Sequence, residues 1–212
     1  MLYMLGAAAC FCICVSVAIS PPKGTQRFGR TFFLSLLAGG ILVSLPIYHY
    51  LFEKKLEQAT ERFTKFYGVR VICQSRFSSF FHWSKLGFVE MGSAEIKLRP
   101  DVCSGLASYL RDPAAANKAA ISDYDNSVMP LHVLTHEAMH VMGVYDEVET
   151  DCKAFQRNHR MAELLGVEKG LARQSAIVIH RFRSPRHPYY SPQCEPGSPM
   201  DDGLADAVWV RR

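Results

Sequence analysis

The sequence predicts an α+β protein: two N-terminal transmembrane helices, then a small domain with a short β-sheet and a histidine-bearing helix. Three observations predict it. Leu2 to Ser20 and Thr31 to Phe52 carry no formal charge, and each is about as long as the roughly twenty residues a helix needs to cross a bilayer. Three short segments between Val69 and Leu98 are patterned like strands. From Asp101 onward, apolar residues recur at helical spacing, with capping residues at the breaks.

The two apolar stretches, about residues 2–20 and 31–52, are read as a transmembrane hairpin over 1–52. The loop between them, PPKGTQRFGR, is broken by Pro and Gly and carries Lys23, Arg27 and Arg30. A signal peptide is the rival for the first stretch. It lacks a basic start, and a second apolar stretch follows at once, which favours two spans. The basic loop favours a cytoplasmic connection, so the C-terminal domain is expected to be extracytoplasmic and membrane-anchored. Lys54, Lys55, Arg62 and Lys65 just after the second stretch pull the other way.

Residues 53–68 show apolar positions at Leu56, Ala59, Phe63 and Phe66 and are read as a helical stalk ending at Gly68; packing on the domain is the other use of this helix. The domain proper is 69–212. VRVIC (Val69–Cys73), LGFVEM (Leu86–Met91) and AEIKL (Ala94–Leu98) are its expected strands, in an antiparallel or mixed sheet. A short helix is expected over Asp101–Leu110, then a polar connector, DPAAANKAAISDYDNS. Helices follow over about Ser127–Met142, with Pro130 in the first turn, and from Asp146 to Leu165, where Gly166 stops the chain. Leu171–Phe182 reads as one more, and the Pro-rich tail as extended loop.

The net charge of +4 is scattered, with no basic stripe interleaved with aromatics, which excludes nucleic acid as the expected partner. Cys10, Cys12 and Cys14 fall in the first apolar stretch. The rest of the chain keeps Cys73, Cys103, Cys152 and Cys194, widely spaced and without a CxxC pair. That pattern suits two disulfides in an oxidising compartment, with three connectivities open.

The chemistry concentrates in LTHEAMHVMGVYDEVETDC, Leu134 to Cys152. His136 and His140 are four apart, so a helix projects both from one face, one turn apart, close enough to chelate one ion. Glu137 sits on the adjacent flank, where its carboxylate reaches a water on the metal without ligating it. That is the physical content of HExxH: two imidazoles hold Zn²⁺ and the Glu removes a proton from the water. Val133, Leu134, Ala138, Met139, Val141 and Met142 around them are apolar, so ionisable groups here would be buried at a cost unless a metal uses them. Gly143 then lets the helix end and the chain turn back.

A catalytic zinc site needs a third protein ligand. Asp146 and Glu149 read as N-cap and N3 of the next helix, a capping-box arrangement. Glu147 and Asp151 then share a face, with Glu147 as the preferred third ligand and Asp151 accepting the second ring N–H of a ligating His. Asp146 is the alternative third ligand. His132, one turn before His136, could extend the face, but reads first as a partly exposed helix histidine. His180, His187, Tyr189 and Tyr190 are candidate donors to an oxyanion, though an aromatic-anchored loop explains them as well.

HEAMH followed by EVETD resembles the gluzincin zinc metallopeptidases, and EVETDCKAF resembles a helix of some small bacterial members of that kind, with Thr150 in an Ala position. That resemblance implies a zincin-like domain, with His136, His140 and Glu147 as ligands, Glu137 as base and Asp151 as support. The gap between the motifs is shorter than in typical gluzincins. HEAMHVMGVYD is also similar to the HExxHxxGxxD pattern of snapalysin-like proteases, which implies Asp146 as ligand. From the zincin resemblance, AEIKL is the strand whose edge would pair with substrate.

The expectation is a membrane-anchored, zinc-dependent metallopeptidase acting on a peptide or protein substrate. The alternative is a non-catalytic, disulfide-stabilised, membrane-anchored binding or scaffold domain whose metal site is structural or degenerate.

Overall fold

In the computed structural model the residues described are 47–75, 85–90, 92–120, 122–182 and 188–209. The chain divides into two compact units, 1–52 and Glu53–Arg212, and the architecture below is that of the second.

Helix α1 covers residues 47–64. From Glu53 onward one face carries Leu56, Ala59, Thr60 and Thr64, all buried. Glu53 accepts the backbone N–H of Cys73 at 2.8 Å, and Glu57 accepts that of Val71 at 3.4 Å. The stretch expected as a stalk therefore lies against the first strand as part of the domain.

Strands β1 (Arg70–Cys73), β2 (Gly87–Val89) and β3 (Glu95–Leu98) form a mixed sheet in the order β1-β3-β2. β1 runs parallel to β3, and β2 antiparallel, joined to it through Gly92 and Ser93. Ile96 and Leu98 alternate inward with Glu95 and Lys97 outward, as the period of two requires. β3 is paired on both sides. This corrects the expectation that Ala94–Leu98 offers an edge to substrate, since its ladder groups are already used. Among the described residues, β2 is the strand with a free side toward the site.

Helix α2 is Pro100–Arg111. The segment expected as a polar connector instead forms two short helices, α3 (Pro113–Ala119) and α4 (Tyr124–Ser127). Each starts on an aspartate whose side chain accepts a freed backbone N–H: Asp112 from Ala115, Asp123 from Asn126. Helix α5 (Met129–Val141) is buried along nearly its whole length, as a helix apolar on most sides must be. It packs between the sheet and α6 (Glu147–Leu164), and α7 (Lys169–Phe182) covers α6.

The tail beyond α7 is latched along α6. Gln156 donates to the Met200 carbonyl at 2.9 Å and accepts from the Asp202 N–H at 2.9 Å. Arg157 pairs with Asp202, and His159 and Arg160 with Asp206. Disulfides close Cys73–Cys103, between β1 and α2, and Cys152–Cys194, between α6 and the tail.

The fold class is corrected accordingly. The described protein is an α+β domain of seven helices and a three-stranded sheet, and among the described residues no helix is long and apolar enough to cross a membrane. The expected span over 2–20 and the expected span over 31–52 up to residue 46 lie outside the described residues. Residues 47–52 of the second open α1, which at Glu53, Lys54 and Lys55 turns charged and then packs on a sheet.

Candidate metal centre

The site is built where α5 ends and α6 begins. Gly143 takes φ +89°, a left-handed conformation that costs glycine nothing. It lets Val144 N–H reach back to the Met139 carbonyl (3.2 Å) and Gly143 N–H to that of His140 (2.9 Å), the Schellman pattern that closes a helix. The reversal brings α6 back beside α5. Asp146 starts α6 by accepting the Glu149 N–H at 2.8 Å.

Three of the expected residues come together. His136 Nε2 lies 3.0 Å from Glu147 Oε2, and His140 Nε2 lies 3.6 Å from the same oxygen. Donor atoms around a tetrahedral Zn²⁺ with bonds of about 2.0–2.1 Å sit ~3.3 Å apart, so the spacing and the donor types suit that ion. The other ring nitrogens are turned away. His140 Nδ1 donates to the Val144 carbonyl at 2.7 Å, and His136 Nδ1 faces Asp151 Oδ1 at 3.7 Å. That leaves both Nε2 atoms aimed at one point. Asp146 is committed to its cap, on the exposed side of the turn.

Glu137 is buried, and among the described residues its Oε2 has no hydrogen-bond partner. Burial pushes its carboxyl up to about 7; the positive field of His136 opposes this and the charge of Glu147 adds to it. For His136 burial alone would lower the pKa, but the Asp151 contact and the charges of Glu137, Asp151 and Glu147 leave it raised. His140 is lowered, chiefly by burial. Asp151, buried too, is nonetheless held well below the usual carboxylate range by His132 and His136.

A cleft of about 440 Å³ opens over these groups. Its walls include Gly87 and Phe88 of β2, Met129 and Val133 of α5, and Tyr145 and Tyr189. The Tyr189 ring stacks near that of His136, with centroids 6.0 Å apart. The other candidate donors do not line the cleft: His180 sits between the rings of Phe155 and Trp209, Tyr190 is outside its walls, and His187 lies outside the described residues.

His132 corrects its expected role. It is fully buried, 2.9 Å from Asp151 Oδ1 through Nε2, and stacked on Phe155 at 4.4 Å. Its i, i+4, i+8 relation to His136 and His140 was the available signal. What the sequence could not show was Asp151 and Asn158 waiting on α6. The donor atoms of His132, His136 and Asp151 also lie within 4.8 Å of one another, as do those of His136, His140 and Glu147. Both sets border the cleft, but the first is buried throughout, whereas Glu147 of the second is exposed.

Compared with protein-family models, with curated proteins and with solved structures, the chain matches none.

Proposed function

We propose that this domain is a zinc-dependent metallopeptidase, with His136, His140 and Glu147 as ligands and Glu137 as general base. One observation carries the reading: two imidazole nitrogens and a half-exposed carboxylate converge beside a buried, unpartnered glutamate, at the floor of a cleft. When bound, Zn²⁺ supplies Lewis acidity and brings the pKa of a water toward neutrality. The chain's own residues do the rest. Glu137, buried beside the ligands, would take the proton from the attacking water and return it to the leaving amine. Among the described residues β3 is the one strand neighbour of β2. The other side of β2, at Gly87 and Val89, would receive an extended peptide by backbone pairing, while Phe88, Met129 and Val133 offer apolar contact to its side chains. Tyr189 is the donor assigned to the developing oxyanion. The two disulfides support action in an oxidising compartment.

The disulfides would equally serve a non-catalytic binding domain with a structural metal. A structural site, however, is closed by protein ligands, and this one is open on the cleft side next to an unpartnered carboxylate. The deciding experiment uses purified chain. Stoichiometric zinc lost in His136→Ala, together with protein hydrolysis lost but zinc and fold kept in Glu137→Gln, is the expected result. Zinc bound without any hydrolysis, and unfolding on chelation, would give the domain to the structural reading.

A further inference from the structure

His132 has no part in that mechanism, yet it is among the most thoroughly anchored side chains near it. Its Nε2 lies 2.9 Å from Asp151 Oδ1. Its Nδ1 lies 3.1 Å from the Asn158 amide nitrogen and 3.4 Å from the Asn158 amide oxygen. Phe155 stacks on its ring with centroids 4.4 Å apart and planes 29° apart. Asn158, Phe155 and Asp151 lie on one face of α6, three and four residues apart, so a single helix supplies all three contacts.

Asp151 needs such an anchor. It is buried, and a buried carboxylate without donors is costly. The same Oδ1 atom faces His136 Nδ1 at 3.7 Å, beyond hydrogen-bond reach, whereas the His132 contact is a full hydrogen bond. Asp151 is thus held by His132 and offered to His136. As an acceptor it requires the proton on His132 Nε2. The bare Nδ1 then accepts from the nearer atom of Asn158, its amide nitrogen.

We propose that His132, oriented by Asn158, is a positioning residue: it aims Asp151 at Nδ1 of His136 and so keeps Nε2 of His136 free to ligate the metal. The proposal rests on the metal reading above. A carboxylate behind a ligating histidine fixes the ring and raises its basicity, and losing such a partner typically costs roughly 10–100-fold in metal affinity. The same trio could instead hold a second ion, but that ion would have to take Nε2 of His132 away from Asp151.

The test measures zinc affinity of the full chain by chelator competition, zinc per chain, and the visible spectrum of the Co²⁺-loaded protein. His132→Leu is expected to bind zinc about 10–100-fold more weakly and to show an altered Co²⁺ spectrum while remaining folded. His132→Gln, whose amide can donate to Asp151, is expected to restore both. Wild-type affinity in His132→Leu would overturn the proposal and leave the metal reading standing. Two ions per chain falling to one in His132→Leu would also overturn it, in favour of a second metal site. Absence of zinc from the wild type would remove both readings. If His132→Leu fails to fold, ¹⁵N NMR of the wild-type histidine rings decides: the Nε2–H tautomer at His132 is expected, and the Nδ1–H tautomer rules the proposal out.

Discussion

Gly87 on β2 and Glu137 on α5 meet so closely that a β-carbon on Gly87 would fall 2.9 Å from both Cγ and Oε1 of Glu137. Leu98 Cδ2 would be 3.1 Å away on the other side. The absence of a side chain on the strand is therefore what lets the carboxylate occupy its place between sheet and helix.

Gly87→Ala is expected to displace Glu137 and lower hydrolysis of a fluorescent unfolded protein at least about tenfold, with zinc content unchanged. Overpacking of this kind costs about 1–3 kcal/mol, so the variant should still fold. Full activity in Gly87→Ala would mean that Glu137 acts from elsewhere.

The raised Glu137 carboxyl makes the stability of the metal-free protein depend on pH. Between its ordinary 4.5 and its folded value of about 7, the folded state holds a proton that the unfolded chain has released. Stability therefore falls as pH rises through that window, by up to about 3 kcal/mol. Glu137→Gln removes this dependence. Thermal unfolding should show the variant gaining on wild type as pH climbs from 4.5 to 7, and the relative gain vanishing at lower pH. A pH-independent difference between the two would contradict the buried, unpartnered carboxyl.

Asp146 and Glu147 are neighbours with different work. Asp146→Ala removes the side chain that accepts the Glu149 N–H and is expected to cost about 1 kcal/mol of stability while zinc stays bound. Glu147→Gln is expected to keep stability and lose zinc, because Oε2 is the atom both imidazoles face. Zinc analysis paired with denaturant unfolding separates them, and the opposite pattern would make Asp146 the ligand.

The Cys152–Cys194 bridge closes a loop of sequence separation 42 next to Asp151. Constraint of the unfolded chain by such a loop is worth about 4 kcal/mol. The double variant Cys152→Ala with Cys194→Ala should lose stability of that order in denaturant unfolding. It should keep zinc, because Gln156, Arg157 and Arg160 still latch the tail to α6. Loss of zinc on removal of the bridge would show that the tail supports the ligands directly.

How much of this was legible follows from the range of the interactions involved. The HEAMH helix, the reversal at Gly143, the Asp146 cap and the stop at Gly166 were readable because each is decided within five or six residues, by hydrogen bonds the local chain makes with itself. The caps of α3 and α4 were equally local, and reading that stretch as a polar connector overlooked Asp112 and Asp123. The central position of β3 could not be read, because parallel pairing with β1 joins residues some twenty-five apart and alternation says nothing about neighbours. Nor could hydropathy tell what residues 53–64 do, since what ties them to the domain is Glu53 and Glu57 accepting backbone N–H groups of β1.

By itself, the sequence determined that two imidazoles and a carboxylate share one turn of a helix and that acidic residues follow a tight reversal. Only the tertiary structure decided that Glu147 rather than Asp146 faces those imidazoles, that His132 is buried behind them, and which cysteines join. The reason is physical. Spacing along a helix sets which side chains share a face, but the angle and depth at which α5 packs on α6 and the sheet set what that face meets.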